Sequence, residues 1–491
     1  MTNKPFMTFL LALVFSMTMT PMTARADGFI PDVNGDGEVN IADLNAVIDF
    51  ILKGETVTPI DLNKTYLSAR DFGAVGDGET DDTDALEALF EAAFLLKKSV
   101  FFDPGTYLIR RSLLLRTGME IYGEDATLKK RSAVTTTLAA PAVKGQTYLD
   151  VVSTNGFNLG DQFCIADPGG ANRCTYGIIT GIEGNRITFT NIISDQQSNF
   201  PGCVRDYNSG AVSASFSLLR SWSTRYECDG VFIHDLTVDG NRKTNEPYVW
   251  ANSCIHMDSY YPGGYTGNSG MEYRNIQRDM KVLNVTIKNS PCDGISDQGE
   301  GGLIVRDCVI ENSAAHGIHL GTKYSSSIIA NNTLTGNGSY GSGVFFCQEV
   351  NDVVVANNTI ENFSHGCSDE ENGTAARNVT IRNNVFKNIN GFVFNFVKAT
   401  SGFHGGGFLI SNNQIHNLKS FLFSGLYLDN VILADNVVNS VASQPSRLIS
   451  ITRSRDVVIA GNKVLSSMSW DAPVDATETV NIIQDANTWN N

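Results

Sequence analysis

Five of the chain's seven histidines fall between positions 234 and 365, and two of them, His316 and His319, stand three residues apart. An imidazole titrates near neutral pH, so it can take or deliver a proton, and a neighbouring carboxylate can orient it and raise its basicity. Such groups suit removal of a carbon-bound proton beside a carboxylate. That step needs a base, a cation or protonated group to neutralise the carboxylate, and an acid for the leaving oxygen. The chain offers His316 or His319 as base with Asp293 to orient it, Tyr324 as acid, and Lys323, Arg274 or Arg278 as neutraliser. His256, Asp258, Arg274, Arg278, Asp297, Phe345 and His365 are the candidate substrate contacts. Inverting hydrolysis would instead need an acid and a base on opposite faces of the glycosidic bond, and Asp258, Asp293 and Asp297 are carboxylates for that role. Taken singly each histidine reads as structural; the cluster, with its flanking cations and tyrosines, points to function.

These residues share a wall only if the chain repeats, and it does. From Lys281 to Asp369 an alternating run (VLNVTI, IVRDCVI, IIANNTL, VVVANNTI) is followed each time by a short Gly-centred run (CDGISD, AHGIHLG, YGSGVFF, SHGCSD). Asn284, Asp307, Asn332 and Asn358 mark the phrase at steps of 23, 25 and 26, and Asn384, Asn413, Asn436 and Asn462 continue it. A period in the twenties built of short β-branched runs predicts a strand-built solenoid, whose equivalent positions stack about 4.8 Å apart. Aligning the Gly-centred runs predicts an inward column of Ile295, Ile318, Val344 and Cys367. The next residue in each run, Ser296, His319, Phe345 and Ser368, with His256 one coil earlier, points outward. Asp293, His316, Ser342 and His365 form a corner column. On this reading His316→Ala abolishes turnover and leaves the coil stable.

A second chemistry lies near the N-terminus. Asp32, Asn34, Asp36, Asn40 and Asp43 take positions 1, 3, 5, 9 and 12 of a twelve-residue loop, with Gly37 at position 6 and the carbonyl of Glu38 at position 7. That is Ca2+-loop spacing, followed by an amphipathic helix on Ile41, Leu44, Val47, Ile48 and Ile51. Ahead of it, residues 1–26 carry Lys4, the apolar run Phe9–Phe15 and the small-x-small site Ala24-Arg25-Ala26, the pattern of a signal peptide. Its loss removes Lys4 and Arg25 and moves the net charge from −16 to −18. An acidic, exported body makes nucleic acid an unsuitable partner. No other run approaches the roughly 20 apolar residues of a membrane span. Nine cysteines in an exported chain suggest at least one disulfide, with Cys164 and Cys174 placed to close a local loop, while those inside the coils read as buried thiols. After Leu465 the period fades into a polar cap or tail.

Three phrases resemble a known family. Asp71-Phe-Gly-Ala-Val-Gly-Asp77-Gly-Glu-Thr-Asp81-Asp82-Thr-Asp84, with the Ala/Leu-rich helix and the SVFFDPGTYLI run after it, resembles the N-terminal cap of the pectate-lyase superfamily of β-helix proteins. That superfamily includes polygalacturonases, alginate C5-epimerase modules and phage tailspikes. The phrase DLTVDGNR, residues 235–242, is similar to the epimerase modules and polygalacturonases. Ala315-His316-Gly317-Ile318-His319 resembles the Gly-His-Gly phrase of polygalacturonases, which implies an active-site histidine. The chain departs from both groups. Cys292-Asp293 stands where polygalacturonases have an acidic pair, and Ser296-Asp297-Gln298-Gly299 where the epimerases have Asp-Pro-His-Glu. The calcium loop and its helix resemble half of a dockerin module, which implies a cohesin-like or cell-surface partner.

The expected fold is all-β, a right-handed parallel β-helix with an N-terminal capping helix and a small helical calcium-loop module. The expected divisions are a signal peptide over 1–26, the calcium module over 27–54, a linker over 55–68 and the β-helix over 69–491, with an inserted β subdomain over 130–225. The expected activity is that of a secreted, periplasmic or cell-surface polysaccharide lyase, monomeric, acting on an acidic polysaccharide. The alternatives are a polygalacturonase-like glycoside hydrolase and a glycan-binding β-helix without turnover.

Overall fold

The computed structural model describes residues 64–489 except 167–174, 192–201, 204–205, 222–226, 244–245, 247–251, 259–276, 322–325, 339, 348–349, 370–375, 398 and 401–404. The signal peptide, the calcium loop and most of the linker lie outside the described residues, as do Cys174, Arg274, Lys323 and Tyr324.

Three parallel sheets of 13, 12 and 11 strands run through the described residues, and strands three apart in sequence are hydrogen-bonded neighbours through most of the stack. Each coil therefore gives one short strand to each sheet, and the molecule is a parallel β-solenoid. The first strand, Tyr66–Ser68, already pairs with Ser99–Phe102, so the stack begins inside the stretch read as a linker. Alternation along each strand sends one row of side chains inward, and a single core runs from Leu67 to Trp470.

Asparagine builds two distinct features of the coil. Asn284, Asp307, Asn331, Asn357, Asn383, Asn412 and Asp435 hold φ between +52° and +59°, a left-handed conformation that Asn and Asp tolerate. One residue further on, Asn332, Asn358, Asn384, Asn413, Asn436, Asn462 and Asn487 form a ladder, each side-chain oxygen accepting from the coil before. Asn284 and Asp307 thus belong to the first row. Cys308, whose amide donates to Asn332 Oδ1 at 2.9 Å, opens the second, and the step there is 24 residues.

Glycine is required for close approach at one column. A Cβ on Gly294, Gly317 or Gly366 would lie 2.5–2.7 Å from a carbonyl oxygen of the next coil, and one on Gly343 would meet Ile360 Cγ2 at 2.3 Å.

The helix α1, Thr83–Leu96, buries Leu86, Leu89, Phe90, Ala92 and Ala93 in the main core beside the first strands. The acidic cluster ahead of it is used locally: Asp82 accepts the amides of Val75 (2.5 Å) and Gly76 (3.0 Å), and Asp81 meets Arg110 at 2.9 Å. Between Ala126–Lys130 of the second sheet and Leu219–Arg220 of the third, the chain leaves to build a six-stranded antiparallel sheet with its own core around Phe163, Ile179, Phe189 and Val212.

At the C-terminus the expected loss of period is corrected. Val480–Asp485 pairs in parallel with Arg455–Ala460, and Asn487 extends the asparagine ladder, so the solenoid runs on to Thr488. The expectation of a Cys164–Cys174 bridge is also overturned, because Cys164 is a free thiol. Among the described residues eight cysteines are buried free thiols, and burial pushes those of Cys164, Cys203 and Cys254 up to about 12. No helix among the described residues is long and apolar enough to cross a membrane.

Candidate functional site

Six consecutive strands of the third sheet carry the candidate residues: β1 (Leu219–Arg220), β2 (Ile255–Asp258), β3 (Ile295–Gln298), β4 (Ile318–Leu320), β5 (Ser342–Phe346) and β6 (His365–Asp369). Their register aligns Ile255, Ile295, Ile318, Val344 and Cys367 in one inward column, all in the core. The adjacent column reads Arg220, His256, Ser296, His319, Phe345, Ser368. These side chains lie outside the core cluster, yet they are not an open wall as the sequence implied. His256 and Ser296 are 0% exposed, Phe345 4% and His319 9%. Composition gives no cue to that cover.

Asp293 precedes β3 in the turn from the second sheet, and its carboxylate is fully buried. Its Oδ2 lies 3.0 Å from His319 Nδ1, and its Oδ1 accepts the His316 amide at 3.0 Å. Burial alone would raise this carboxyl, but the charge and hydrogen bond of His319, then His316, hold it below its ordinary value. With Nδ1–H donated to Asp293, the lone pair of His319 sits on Nε2, where Gln298 Nε2 donates at 3.1 Å. Gln298 has a second acceptor in Ser296 Oγ at 3.3 Å.

His316 is placed differently. Its Nδ1 accepts the Ser342 backbone amide at 3.0 Å, so in the neutral ring the proton is on Nε2. Phe345 stacks on it at 4.0 Å and 13°, and meets His319 edge-on at 4.8 Å. Burial drives His316 down to about 3, against the pull of Asp293, with His319 and His365 lowering it further. The expectation that His316→Ala leaves the coil stable is therefore corrected, since alanine would strand the buried Ser342 amide.

Of the remaining candidates, His365 accepts the Phe392 amide at 3.2 Å on Nδ1, the same device two coils up. Asp297 falls in an inward column between Met257 and Leu320 and accepts the Gly299 amide at 2.9 Å; burial raises it to about 6. Arg278 forms an ion pair with Asp229 at 3.0 Å instead of joining the histidines. Asp258 ends β2, with only its backbone described. Sequence reasoning missed Gln298, and it missed Arg220, a fully buried cation in the His256 column over the ring of Tyr176 from the inserted sheet (5.1 Å). For Gln298 the available signal was its place directly after the CDGISD run; Arg220 stands in a stretch without glycine and carried no such signal.

Asp293, His316 and His319 each offer one ligand atom, all within 4.8 Å of one another. A metal does not fit this set as built. His316 would have to ligate through Nε2, which carries the proton for as long as Nδ1 accepts from Ser342.

Known proteins resemble the chain in parts. A family model described as rhamnogalacturonase A/epimerase, pectate lyase-like, matches residues 66–211, and one described as right handed beta helix region matches residues 270–419. Among solved structures, the A-module of an Azotobacter vinelandii mannuronan C-5 epimerase is 15% identical, with 86% of this chain and 95% of that one covered at a TM-score of 0.53. The Dettilon tailspike protein is 12% identical, with 86% and 68% covered at 0.50. At such identities the likeness is one of fold. A glucan 1,3-beta-glucosidase of Cochliobolus carbonum is 38% identical over 60 residues, which is 12% of this chain and only 8% of that protein's length. With the three-sheet solenoid, the two family matches support placing the chain in the right-handed β-helix superfamily, with a pectate-lyase-like first segment.

Proposed function

We propose that the chain is a secreted carbohydrate-active enzyme, a polysaccharide lyase that cleaves a uronate-containing polysaccharide by β-elimination. One observation carries this reading: Asp293 Oδ2 lies 3.0 Å from His319 Nδ1 across adjacent coils. The pair holds the ring in one orientation and leaves Nε2 as general base. The C5 proton passes to Nε2 as Gln298 turns to Ser296, and the C–H electrons become the C4–C5 double bond. The C4–O bond breaks, and its oxygen takes a proton from an acid, the role we give Tyr324. Lys323 and Arg274 are proposed as neutralisers of the uronate carboxylate. The C-5 epimerase named above works by its title at the same carbon, which agrees with this choice.

A hydrolase is the second reading. It is favoured by Asp297, whose carboxyl is raised to about 6 as a general acid requires, and by the glucosidase likeness. Asp297 faces the core column, so the lyase reading is preferred. The proposal also takes residues 1–26 as a signal peptide and Ca2+ as a structural ion on Asp32, Asn34, Asp36, Glu38, Asn40 and Asp43. It takes α1 as the cap of the first coil, and the mature protein as a monomer with a cell-surface or cohesin-like partner.

Incubating the full chain with pectin, alginate and glycosaminoglycans, with and without calcium, tests it. The expected product carries an unsaturated, UV-absorbing end group, and His319→Ala lowers its rate by about 10²–10⁴-fold, the contribution of general acid–base catalysis. Reducing ends without that absorbance would establish the hydrolase, and polymer retained unchanged would establish a binding module.

A further inference from the structure

The corner column does one job repeatedly. Asp293 Oδ1 accepts the His316 amide at 3.0 Å, His316 Nδ1 accepts the Ser342 amide at 3.0 Å, and His365 Nδ1 accepts the Phe392 amide at 3.2 Å. Three of the four corner side chains thus satisfy the amide at the corner of the next coil; Ser342 is the exception, its Oγ lying 2.6 Å from Ser368 Oγ while the His365 amide donates to the Gly341 carbonyl at 3.1 Å. A backbone amide can only donate, so Nδ1 of His316 can only accept, and the ring's proton is confined to Nε2. His319 is held the other way round, its Nδ1–H on Asp293 and its lone pair on Nε2.

We propose that His316 is a permanently neutral Nε2–H donor that binds a carboxylate oxygen of the uronate, and is not the base. The nature of its partner rests on the lyase reading above; the state of its ring does not. As the C5 proton leaves for His319, negative charge spreads onto the substrate carboxylate. A donor already fixed in a water-poor site stabilises that charge with no reorganisation. His316 gives up no proton in the step, so atoms and charge balance through His319 and the leaving-group acid alone. The groups facing His316 among the described residues are Asp293, His319, His365 and Tyr340, with Phe345 over the ring. Of these Asp293 favours a charged ring, while the two histidines and burial oppose it. This divides the two histidines of one coil into a base and a donor that cannot exchange roles.

The test is nitrogen-15 NMR of the full chain labelled at histidine, with His316→Asn to assign the resonance. Asparagine Oδ1 replaces Nδ1 as acceptor for Ser342 and supplies no group at Nε2, so the variant keeps the fold and loses the donor. The expected result is a His316 ring that stays neutral and Nε2-protonated from about pH 5 to about pH 8, the interval where an ordinary histidine titrates. Its Nε2–H signal should move when an oligogalacturonate or oligomannuronate is added. On the polymer that the parent cleaves, His316→Asn should melt like the parent yet turn over about 10²–10³-fold more slowly, the loss seen on removing one such donor. A ring that titrates in that interval, a proton found on Nδ1, or a folded and fully active His316→Asn would each overturn the proposal. Failure of every uronate polymer to yield unsaturated ends would instead overturn the lyase reading and leave the ring's state decided by the spectrum.

Discussion

At the scale of single residues, Asp297 shows a carboxyl placed where the coil expects a hydrocarbon. Its counterparts in adjacent coils are Met257, Leu320 and then Phe346. Burial raises its pKa to about 6, opposed in part by the Gly299 amide and by His319. The fold therefore favours the protonated form over an unfolded chain in which the group titrates near 3.8. That contribution is fully present below the unfolded value and is lost as pH rises through about 6. At neutral pH the ionised carboxylate is a liability of about two pH units, roughly 3 kcal/mol. Asp297→Asn should raise the Tm at pH 7, and the gain should shrink to nothing below about pH 4. Melting both proteins across that range checks it, and a variant less stable at every pH would show that the ionised form is needed. Phase within the Gly-centred runs let the sequence align Asp293, Ser296 and His319 correctly. It did not show that Asp297, two positions beyond Ile295, returns to the inner face, because an aspartate breaks the apolar alternation that marks that face.

At the scale of one coil, the buried asparagine ladder fixes the vertical register. Asn384 accepts the Asn358 amide at 2.9 Å and donates to the Val355 carbonyl at 2.9 Å and to Asn413 Oδ1 at 3.0 Å. Asn384→Ala leaves a buried amide and a buried carbonyl without partners, at about 1–3 kcal/mol each. We expect about 2–4 kcal/mol of lost stability, concentrated in the coils on either side. Hydrogen exchange of the Asn358 and Val385 amides measures it, and unchanged protection would mean that water replaces the rung. The ladder also shows where periodicity misleads. Asn284 and Asp307 sit in the left-handed row and Asn332 in the ladder, so reading them as one column gave one step, the 25 residues from Asp307 to Asn332, that neither row has there. The period was legible because one coil needs a fixed length of chain. The phase was not, because two adjacent rows select the same amino acid for different reasons, backbone conformation in one and amide satisfaction in the other.

At the scale of the whole molecule, the solenoid was legible in the repeat, whereas the cover over its candidate column was not. Cover depends on which segments fold back across the third sheet, and no local pattern encodes that. The inserted antiparallel sheet is one such segment, its Tyr176 ring lying 5.1 Å from the Arg220 guanidinium, and a buried charge pair stands where it leaves the solenoid. Lys130 ends the strand before the insert, Ser215 follows the insert, and Glu246 lies in the corresponding turn of the next coil. Lys130 Nζ and Glu246 Oε1 are 2.8 Å apart with both side chains 0% exposed, and Ser215 Oγ donates to the same carboxylate. Burial pulls the Lys130 ammonium below its ordinary pKa, while Glu246 pulls it back up. Two charges that left water together are worth little as a pair, but either one alone is costly. Glu246→Leu and Lys130→Met should therefore each destabilise by about 3–5 kcal/mol, and the double variant should recover most of that loss. Denaturant unfolding of the four proteins gives the coupling, and limited proteolysis within 135–213 reports whether the insert loosens first. Single variants as stable as the parent would show that the pair is incidental and that apolar contacts hold the insert against the column.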